Sequence, residues 1–229
     1  YPLRRQRQMC IRDRYIYLLS ISPIWNDTDE KLLPFISPSR RERIAKYHYD
    51  KDRKLSLYAA LLVRMQLNKL TNIPNTELSF SYGQYQKPYF QTDRDLHFNI
   101  SHTHNKILCA ISSQPVGVDI EKKSTAPVEI MKLVFHPTEI EYVQSSLTEA
   151  DKLTRFYTIW TKKEALTKCI GTGLTDDIST VNTLAACFTP NFHTWINKEY
   201  ICSVYCNPIP KRDSYFLLSE SDIHHFFLV

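Results

Sequence analysis

The stretch Pro115 to Lys123 reads P-V-G-V-D-I-E-K-K and alternates apolar residues with small or acidic ones. In an extended strand successive side chains point to opposite faces, so the two valines and the isoleucine share one face while Gly117, Asp119 and Glu121 share the other. The apolar face can be buried against a core. The other face presents two carboxylates about 7 Å apart along the strand, and glycine at 117 leaves room for whatever approaches them.

The paired carboxylates allow two interpretations. Oxygen ligands on one face suit a hard divalent cation that also keeps water and binds a phosphate. Alternatively, the stretch is an edge strand whose acidic pair faces solvent, because a short motif matches by chance in many proteins. The choice between them depends on the rest of the chain.

The composition is that of a soluble globular protein, with 229 residues, 43% of them hydrophobic and 23% charged. This length allows one large domain or two small ones. The sequence shows no apolar run of the roughly 18 residues that span a bilayer and no secretory signal. We therefore expect a cytoplasmic protein without a membrane span.

The net charge of +5 is concentrated in residues 1–14, where five arginines and one aspartate account for +4 of it. This segment lacks apolar periodicity, and its M-C-I-R-D-R run resembles a translated sequencing adapter, so we expect a non-native or disordered extension. The remaining chain is close to neutral. A nucleic-acid-binding function would depend on the extension, and we expect no nucleic-acid partner.

Cysteines and glycines exclude several classes of site. The six cysteines form no C-x-x-C motif, and an odd number remains outside the extension, which argues against a disulfide framework or a zinc site. The four glycines, at 83, 117, 171 and 173, form neither a Walker A loop nor a G-x-G-x-x-G fingerprint.

Two long helices are predicted by their apolar periodicity, over residues 50–70 and 148–170. Before the first one, Ser39 and Glu42 form a predicted capping box that places Arg40 and Arg43 on the first turns of a shorter helix. A bound anion would relieve positive charge at this helix N-terminus. A solvated basic face is the alternative.

The second long helix places Glu164 inside its apolar arc, one turn before Lys168. A carboxylate on a buried face needs a partner or a metal. The alternative is a surface pair between Glu164 and Lys168. Lys163 also falls within the arc, so the arc alone does not single out Glu164.

Strands are predicted at residues 15–21, 95–101 and 107–111 before Pro115, and at residues 194–206, 214–219 and 226–229 after it. Helical and strand segments thus occur twice, although the two halves show no convincing sequence repeat. We expect an α/β (α+β) fold with subdomains 15–115 and 116–229.

In order along the chain, several motifs resemble those of 4′-phosphopantetheinyl transferases of the Sfp type. These motifs are S-P-S-R-R-E-R, D-R-K-L-S-L-Y-A-A-L-L-V-R, Q-K-P-Y, N-I-S-H-T, G-V-D-I-E, F-H-P-T-E and F-Y-T-I-W-T-K-K-E-A-L-T-K-C-I-G-T-G-L. The resemblance covers nearly all of the chain from residue 15. It implies two pseudo-symmetric α/β subdomains that bind coenzyme A in the cleft between them.

The resemblance also implies an activity, transfer of the phosphopantetheine arm of coenzyme A to a serine of an apo acyl or peptidyl carrier protein. It implies Mg²⁺ as the cofactor and adenosine 3′,5′-bisphosphate as the second product. Because two halves in one chain can complete a site, we expect a monomer, although the sequence leaves the oligomeric state open. A binding module for coenzyme A or a carrier protein, without catalysis, is the alternative.

Site residues follow from the same resemblance, position by position. The implied metal ligands are Asp119, Glu121 and Glu164, and the implied catalytic residues are Glu164 and Lys168. The implied contacts to coenzyme A are Arg40, Arg43, Ser56, Lys87, Ser101 and His102. The chain departs from the family pattern at Gln86, where glycine is common, and this places the Lys87 contact in question.

Overall fold

The computed structural model describes residues 14–83, 87–92, 96–125, 128–173, 176–208 and 213–229. Residues 1–13 of the expected extension and Gln86 lie outside these ranges. Residue 14 was wrongly assigned to the extension, because Arg14 is buried at the start of the first strand. Its guanidinium donates two hydrogen bonds of 2.8 Å to the carboxylate of Asp213, which anchors it in a sheet.

The described strands are β1 (Arg14–Ser20), β2 (Phe80–Tyr82), β3 (Pro88–Phe90), β4 (His97–Thr103), β5 (Lys106–Ser112), β6 (Val116–Lys122), β7 (Phe192–Asn197), β8 (Tyr200–Cys206) and β9 (Asp213–Ser219). The described α-helices are α1 (Asp27–Leu32), α2 (Pro38–Ala45), α3 (Asp50–Thr71), α4 (Met131–Val134), α5 (Pro137–Gln144), α6 (Glu149–Ile170) and α7 (Glu220–Leu228). None of these helices combines the length and the apolar character that crossing a bilayer requires.

Two sheets form the centre of the mixed α/β fold. The first sheet has the strand order β4-β5-β1-β9, with β9 parallel to β1 and the other neighbours antiparallel. The second sheet has the order β6-β8-β7 and is antiparallel throughout. Strands β2 and β3 form a separate hairpin.

The sheets pack face to face between two long helices. Ile16 of β1, Val118 of β6 and Val204 of β8 belong to one apolar cluster between the sheets. Helix α3 covers the outer face of the first sheet and α6 covers that of the second. The predicted apolar face of the P-V-G-V-D-I-E-K-K stretch is confirmed, because Val116, Val118 and Ile120 are at most 1% exposed.

The two lobes repeat one topology. In each, a strand is followed by a helix pair and by a hairpin whose second strand pairs with the first strand, giving β1-α2-α3-β4-β5 and β6-α5-α6-β7-β8. The helix pairs have equal lengths, and each residue of the first pair has a counterpart 99 positions later, as Pro38 has in Pro137. Both pairs end at a left-handed residue, Asn72 and Gly171.

This repeat confirms the expected pseudo-symmetry and shows a signal that sequence inspection missed. Within the helix pairs, six positions are identical at the separation of 99: Pro38 and Pro137, Glu42 and Glu141, Asp52 and Asp151, Tyr58 and Tyr157, Leu67 and Leu166, Lys69 and Lys168.

The end of the chain departs from the prediction. The expected strand at residues 226–229 is wrong, because α7 occupies this segment and a capping box formed by Ser219 and Asp222 begins it. Strand β9 pairs with β1, and α7 packs on α1 and α3. This last segment, which the division of the chain assigned to subdomain 116–229, therefore lies against the first lobe.

The predicted start of α2 is also wrong by two residues. Ser37, not Ser39, is the N-cap, and its hydroxyl accepts a hydrogen bond from the backbone NH of Arg40. Proline at the first helical position explains the shift, since its fixed φ suits that position and it has no NH to satisfy. The long helices α3 and α6 are confirmed.

Glycine at 117 serves helix packing. A Cβ added there would lie 1.9 Å from the carbonyl oxygen of Ala165 and 2.4 Å from the backbone nitrogen of Cys169, both on α6. The open space expected beside the carboxylates is therefore filled at this position by the helix backbone. This close approach holds α6 directly against β6.

We predict that Gly117→Ala destabilises the protein by about 1–3 kcal/mol or more, because α6 must move away from β6 to admit the methyl group. Urea unfolding of the two proteins measures the difference. Gly83→Ala is the control, since a Cβ at Gly83 meets its nearest atom at 3.8 Å. Equal stability of the Gly117→Ala variant and the wild type would contradict this packing argument.

Candidate active site

The two lobes meet where the edge strands β4 and β6 lie side by side, and we call this contact the seam. The amide oxygen of Asn99 accepts a hydrogen bond of 2.9 Å from the backbone NH of Val118, a group on the free edge of β6. The hydroxyl of Ser101 donates to Asp119 at 2.8 Å. These β4 side chains face β6 together because alternate residues of a strand share a face.

Helix α6 adds two charged side chains to the seam. The ammonium of Lys168 lies 2.5 Å from the carboxylate of Asp119 and 3.1 Å from the hydroxyl of Ser101. It also lies 3.8 Å from the carboxylate of Glu164, one helical turn earlier. The structure thus brings together four of the predicted site residues.

Burial raises the pKa of two carboxylates at the seam, those of Glu121 and Glu164. Burial and the neighbouring charge of Asp119 raise the pKa of Glu121 to about 7, against an opposing effect of Lys168. Burial likewise raises the pKa of Glu164. The Asp119 side chain is only 3% exposed and pairs with Lys168. These groups gain from a neutralising cation, because charged carboxylates lose hydration when they are buried.

One atom gives a direct test of the expected metal site. The Oδ2 atom of Asp119 is buried and has no hydrogen-bond partner among the residues that the structure describes. Such an oxygen has lost its hydrogen bonds to water on burial and has gained none in their place, which is unfavourable. A hard cation would supply the missing partner, and Asp119, Glu121 and Glu164 offer the carboxylate oxygens that Mg²⁺ prefers. The chemistry of this set of donor atoms therefore fits the metal.

The three carboxylates are spread more widely than ligands of one ion. Among the described residues, only Asp29, Glu220 and His224 place three ligand atoms within 4.8 Å of one another. That group already contains a cation, because the Lys54 ammonium lies 3.2 Å from Asp29 and 3.1 Å from Glu220. At the seam, Lys168 occupies the corresponding position between Asp119 and Glu164.

Four predicted contacts to coenzyme A line one cavity of about 260 Å³ in the first lobe: Arg40, Arg43, Ser56 and His102. Other described lining residues include Arg64, Phe80 and Tyr82, and the described lining contains no carboxylate. Ser101 and His102, adjacent on β4, point to opposite faces. Ser101 therefore serves the seam while His102 faces the cavity.

His102 lies between the two sites. Partial desolvation and the nearby Lys168 lower the pKa of its imidazole below the usual value, which favours the neutral ring. Its neutral ring can donate or accept a hydrogen bond.

Lys87 lies elsewhere, at the C-terminus of α6. Its ammonium donates a hydrogen bond of 2.9 Å to the carbonyl oxygen of Cys169. A cation is favourable at a helix C-terminus, where carbonyl groups lack helical partners. Its contact to coenzyme A stays a prediction, and Gln86, the departure from the family pattern, falls outside the described residues.

Sequence reasoning missed the roles of Lys163 and Arg64. Lys163, which shares the apolar arc with Glu164, is fully buried and pairs with Glu139 at 2.9 Å. Glu139 also accepts hydrogen bonds from the backbone and hydroxyl of Thr183. This pairing explains one of the two charges in the arc. The repeat of 99 residues would have pointed to Arg64, the counterpart of Lys163.

Comparisons with known proteins identify the family. A model of the 4′-phosphopantetheinyl transferase superfamily matches residues 115–215, and a model described as 4′-phosphopantetheinyl transferase, N-terminal, matches residues 24–115. The chain is 36% identical over 153 residues to 4′-phosphopantetheinyl transferase gsp of Aneurinibacillus migulanus, covering 65% of this chain and 63% of that protein. It is 35% identical over 153 residues to 4′-phosphopantetheinyl transferase Sfp of Bacillus subtilis (strain 168), covering 66% of this chain and 67% of that protein.

A mammalian relative also matches. The chain is 33% identical over 152 residues to L-aminoadipate-semialdehyde dehydrogenase-phosphopantetheinyl transferase of Mus musculus, covering 61% of this chain and 49% of that protein. The chain belongs to the 4′-phosphopantetheinyl transferase superfamily, and its relatives place it with the Sfp type. The match spans about two thirds of the length of the two bacterial relatives named.

We predict a pH dependence of stability that comes from Glu121. Its folded pKa of about 7 lies above the ordinary value of 4.5, so the folded protein binds this proton more tightly than the unfolded chain does. The contribution of Glu121 to stability therefore falls as pH rises from about 4.5 through about 7. In EDTA, Glu121→Gln should become more stable relative to the wild type over this interval.

Urea unfolding at pH 5, 6, 7 and 8 measures this difference. The variant Glu77→Gln, which changes an exposed glutamate, is the control and should show no such trend. A difference between wild type and Glu121→Gln that is constant across these pH values would contradict the prediction.

Proposed function

We propose that the protein transfers the 4′-phosphopantetheine arm of coenzyme A to a serine of an apo acyl or peptidyl carrier protein and releases adenosine 3′,5′-bisphosphate. The observation that carries the proposal is the meeting of Asp119, Glu164 and Lys168 at the seam, beside a cavity lined by arginines. Membership of the superfamily supports the same reaction.

The two sites suit the two phosphate-bearing parts of coenzyme A, which are the ribose 3′-phosphate and the pyrophosphate. Arg40 and Arg43 offer guanidinium groups to the phosphate on the adenosine ribose, with Ser56 and His102 beside them. The pyrophosphate then extends across β4 to the seam, where Ser101 and Lys168 can donate hydrogen bonds to its oxygens. In this proposal the Lys87 ammonium either breaks its hydrogen bond to the Cys169 carbonyl oxygen and binds a phosphate, or donates hydrogen bonds to both groups.

Asp119, Glu121 and Glu164 would hold Mg²⁺ at the seam, and the unpartnered Oδ2 atom of Asp119 supports this assignment. When bound, Mg²⁺ neutralises phosphate charge and polarises the phosphoryl group for in-line attack. Lys168, which pairs with Asp119 in the described side-chain arrangement, would then turn toward the substrate.

The carrier serine supplies the nucleophile. Its Oγ forms a bond to the β-phosphorus while the bond from that phosphorus to the bridging oxygen breaks, and the bridging oxygen leaves with adenosine 3′,5′-bisphosphate. Glu164, or a water that it holds, takes the serine proton, and its raised pKa suits a general base. Lys168 offsets the charge on the leaving group or donates a proton to it.

One chain contains every group that this reaction uses, since the first lobe supplies the cavity and the second supplies Glu164 and Lys168. We therefore propose that the monomer is active. We also propose a cytoplasmic location and no nucleic-acid partner. Residues 1–14 hold +4 of the net charge of +5, so the rest of the chain offers an extended polyanion little net charge to bind.

We predict that Glu164→Gln reduces transfer to the background of the assay, because it removes both a metal ligand and the proposed base. The assay incubates the protein with coenzyme A, Mg²⁺ and an apo carrier protein and measures the carrier mass. The variant Glu149→Gln, which changes an exposed glutamate on the same helix, should retain activity.

Two results would contradict the proposal. Substantial transfer by Glu164→Gln would refute the assigned role of this residue. Coenzyme A binding by the wild type without a mass gain on any of several acyl and peptidyl carriers would instead favour a non-catalytic binding module.

A further inference from the structure

The internal repeat pairs two sets of charged residues. Glu139 of α5 and Lys163 of α6 have their counterparts 99 positions earlier in Arg40 of α2 and Arg64 of α3. Because the two helix pairs have the same lengths and topology, these positions face each other in both lobes. The second lobe places an acid and a base there, whereas the first lobe places two bases.

In the second lobe this position is closed. The Lys163 ammonium lies 2.9 Å from the Glu139 carboxylate, and both side chains are completely buried. The ammonium also donates to the carbonyl oxygens of Ile178 and Val181, at 2.8 and 2.7 Å. The charges compensate each other within the protein, so no ligand is needed.

In the first lobe the same position is open and has an excess of positive charge. Arg40 and Arg64 both line the cavity of about 260 Å³, whose described lining has no carboxylate. One guanidinium nitrogen of Arg64 donates to the backbone and side-chain oxygens of Asn75, at 3.0 and 3.1 Å, and neither acceptor is charged. The Arg64 guanidinium lies 5.1 Å from the centre of the Phe80 ring.

Burial and the like charge of Arg40 both lower the pKa of Arg64. The buried Arg64 and the half-buried Arg40 repel each other, and no carboxylate is among the described lining residues. The first lobe keeps this arrangement where the second lobe keeps an ion pair. An anionic ligand group in the cavity would take the position that the Glu139 carboxylate holds in the second lobe.

We propose that Arg64 is a specificity-determining residue that, together with Arg40, binds the ribose 3′-phosphate of coenzyme A. This inference rests on the proposed function, which requires the pyrophosphate at the seam and so leaves the 3′-phosphate as the anion for the cavity. The two sites lie on opposite faces of β4, as the positions of Ser101 and His102 indicate.

Calorimetric titration with two nucleotides tests the proposal. Adenosine 3′,5′-bisphosphate carries the 3′-phosphate and adenosine 5′-monophosphate lacks it, so their affinity ratio reports recognition of that group alone. We expect Arg64→Gln to weaken binding of the bisphosphate about tenfold or more, the loss of one charged hydrogen bond, and to leave the monophosphate nearly unchanged. Lys69→Gln, which removes an exposed cation from the same helix, should leave both affinities unchanged.

If the role of Arg64 is purely structural, Arg64→Gln should weaken binding of both nucleotides to the same extent, and this result would overturn the proposal. An unchanged affinity ratio without any loss of binding would overturn it as well. If Arg64→Gln does not fold, Arg64→Lys takes its place in the test, because it retains the positive charge found at the counterpart Lys163. For the Arg64→Lys variant, the ratio of KM for dephospho-coenzyme A to KM for coenzyme A should fall below the wild-type ratio.

The outcomes separate this inference from the proposed function. The inference alone is refuted if the wild type modifies carrier proteins and the Arg64 variants keep the wild-type preference for the 3′-phosphate. A wild type that transfers nothing to any carrier refutes the proposed function, on which the inference rests.

Discussion

The carboxylate of Asp119 is contacted by both lobes, and the arrangement of the seam depends on it. Ser101 of the first lobe donates to one of its oxygens, and Lys168 of the second lobe pairs with the same oxygen. Burying a charged carboxylate costs on the order of several kcal/mol unless hydrogen-bond partners or opposite charges replace its lost hydration. The other oxygen has no hydrogen-bond partner among the described residues, and in the proposed function a cation would supply one.

The internal repeat explains how one topology produces two different lobes. Both lobes pack a helix of 22 residues on a sheet and precede it with a shorter helix that begins at proline. In the second lobe Gly117 allows α6 to contact β6 directly, and Lys163 and Glu139 close the space between the helices. In the first lobe the corresponding space is a cavity with arginines. In the proposed function the second lobe therefore positions the reacting groups, while the first lobe offers the space and charge to bind an anionic substrate.

Much of the fold follows from local patterns in the sequence. The alternation of P-V-G-V-D-I-E-K-K places Asp119 and Glu121 on the face opposite the buried valines, and apolar periodicity locates α3 and α6. The failures have local causes. Pro38 shifted the N-cap from Ser39 to Ser37, and the capping box formed by Ser219 and Asp222 outweighed the strand-like residues that follow it.

The remaining features depend on contacts that no local pattern contains. The neutralisation of Lys163 requires Glu139 from another helix, and the return of β9 to the first sheet requires Asp213 to meet Arg14. The spacing along β6 suggested room for a ligand at Gly117, but the backbone of α6 fills it. The motifs therefore identify the groups at the seam, and only the fold shows that a lysine already lies among the carboxylates.

The most direct test of the seam as a metal site is the anomalous scattering of Mn²⁺ in crystals grown with Mn²⁺ and coenzyme A. Asp119, Glu121 and Glu164 should surround one anomalous peak at the distances of oxygen ligands, with a pyrophosphate oxygen completing the coordination. A peak between Asp29, Glu220 and His224 in place of Lys54, or no peak at the seam in crystals that contain bound coenzyme A, would contradict the account.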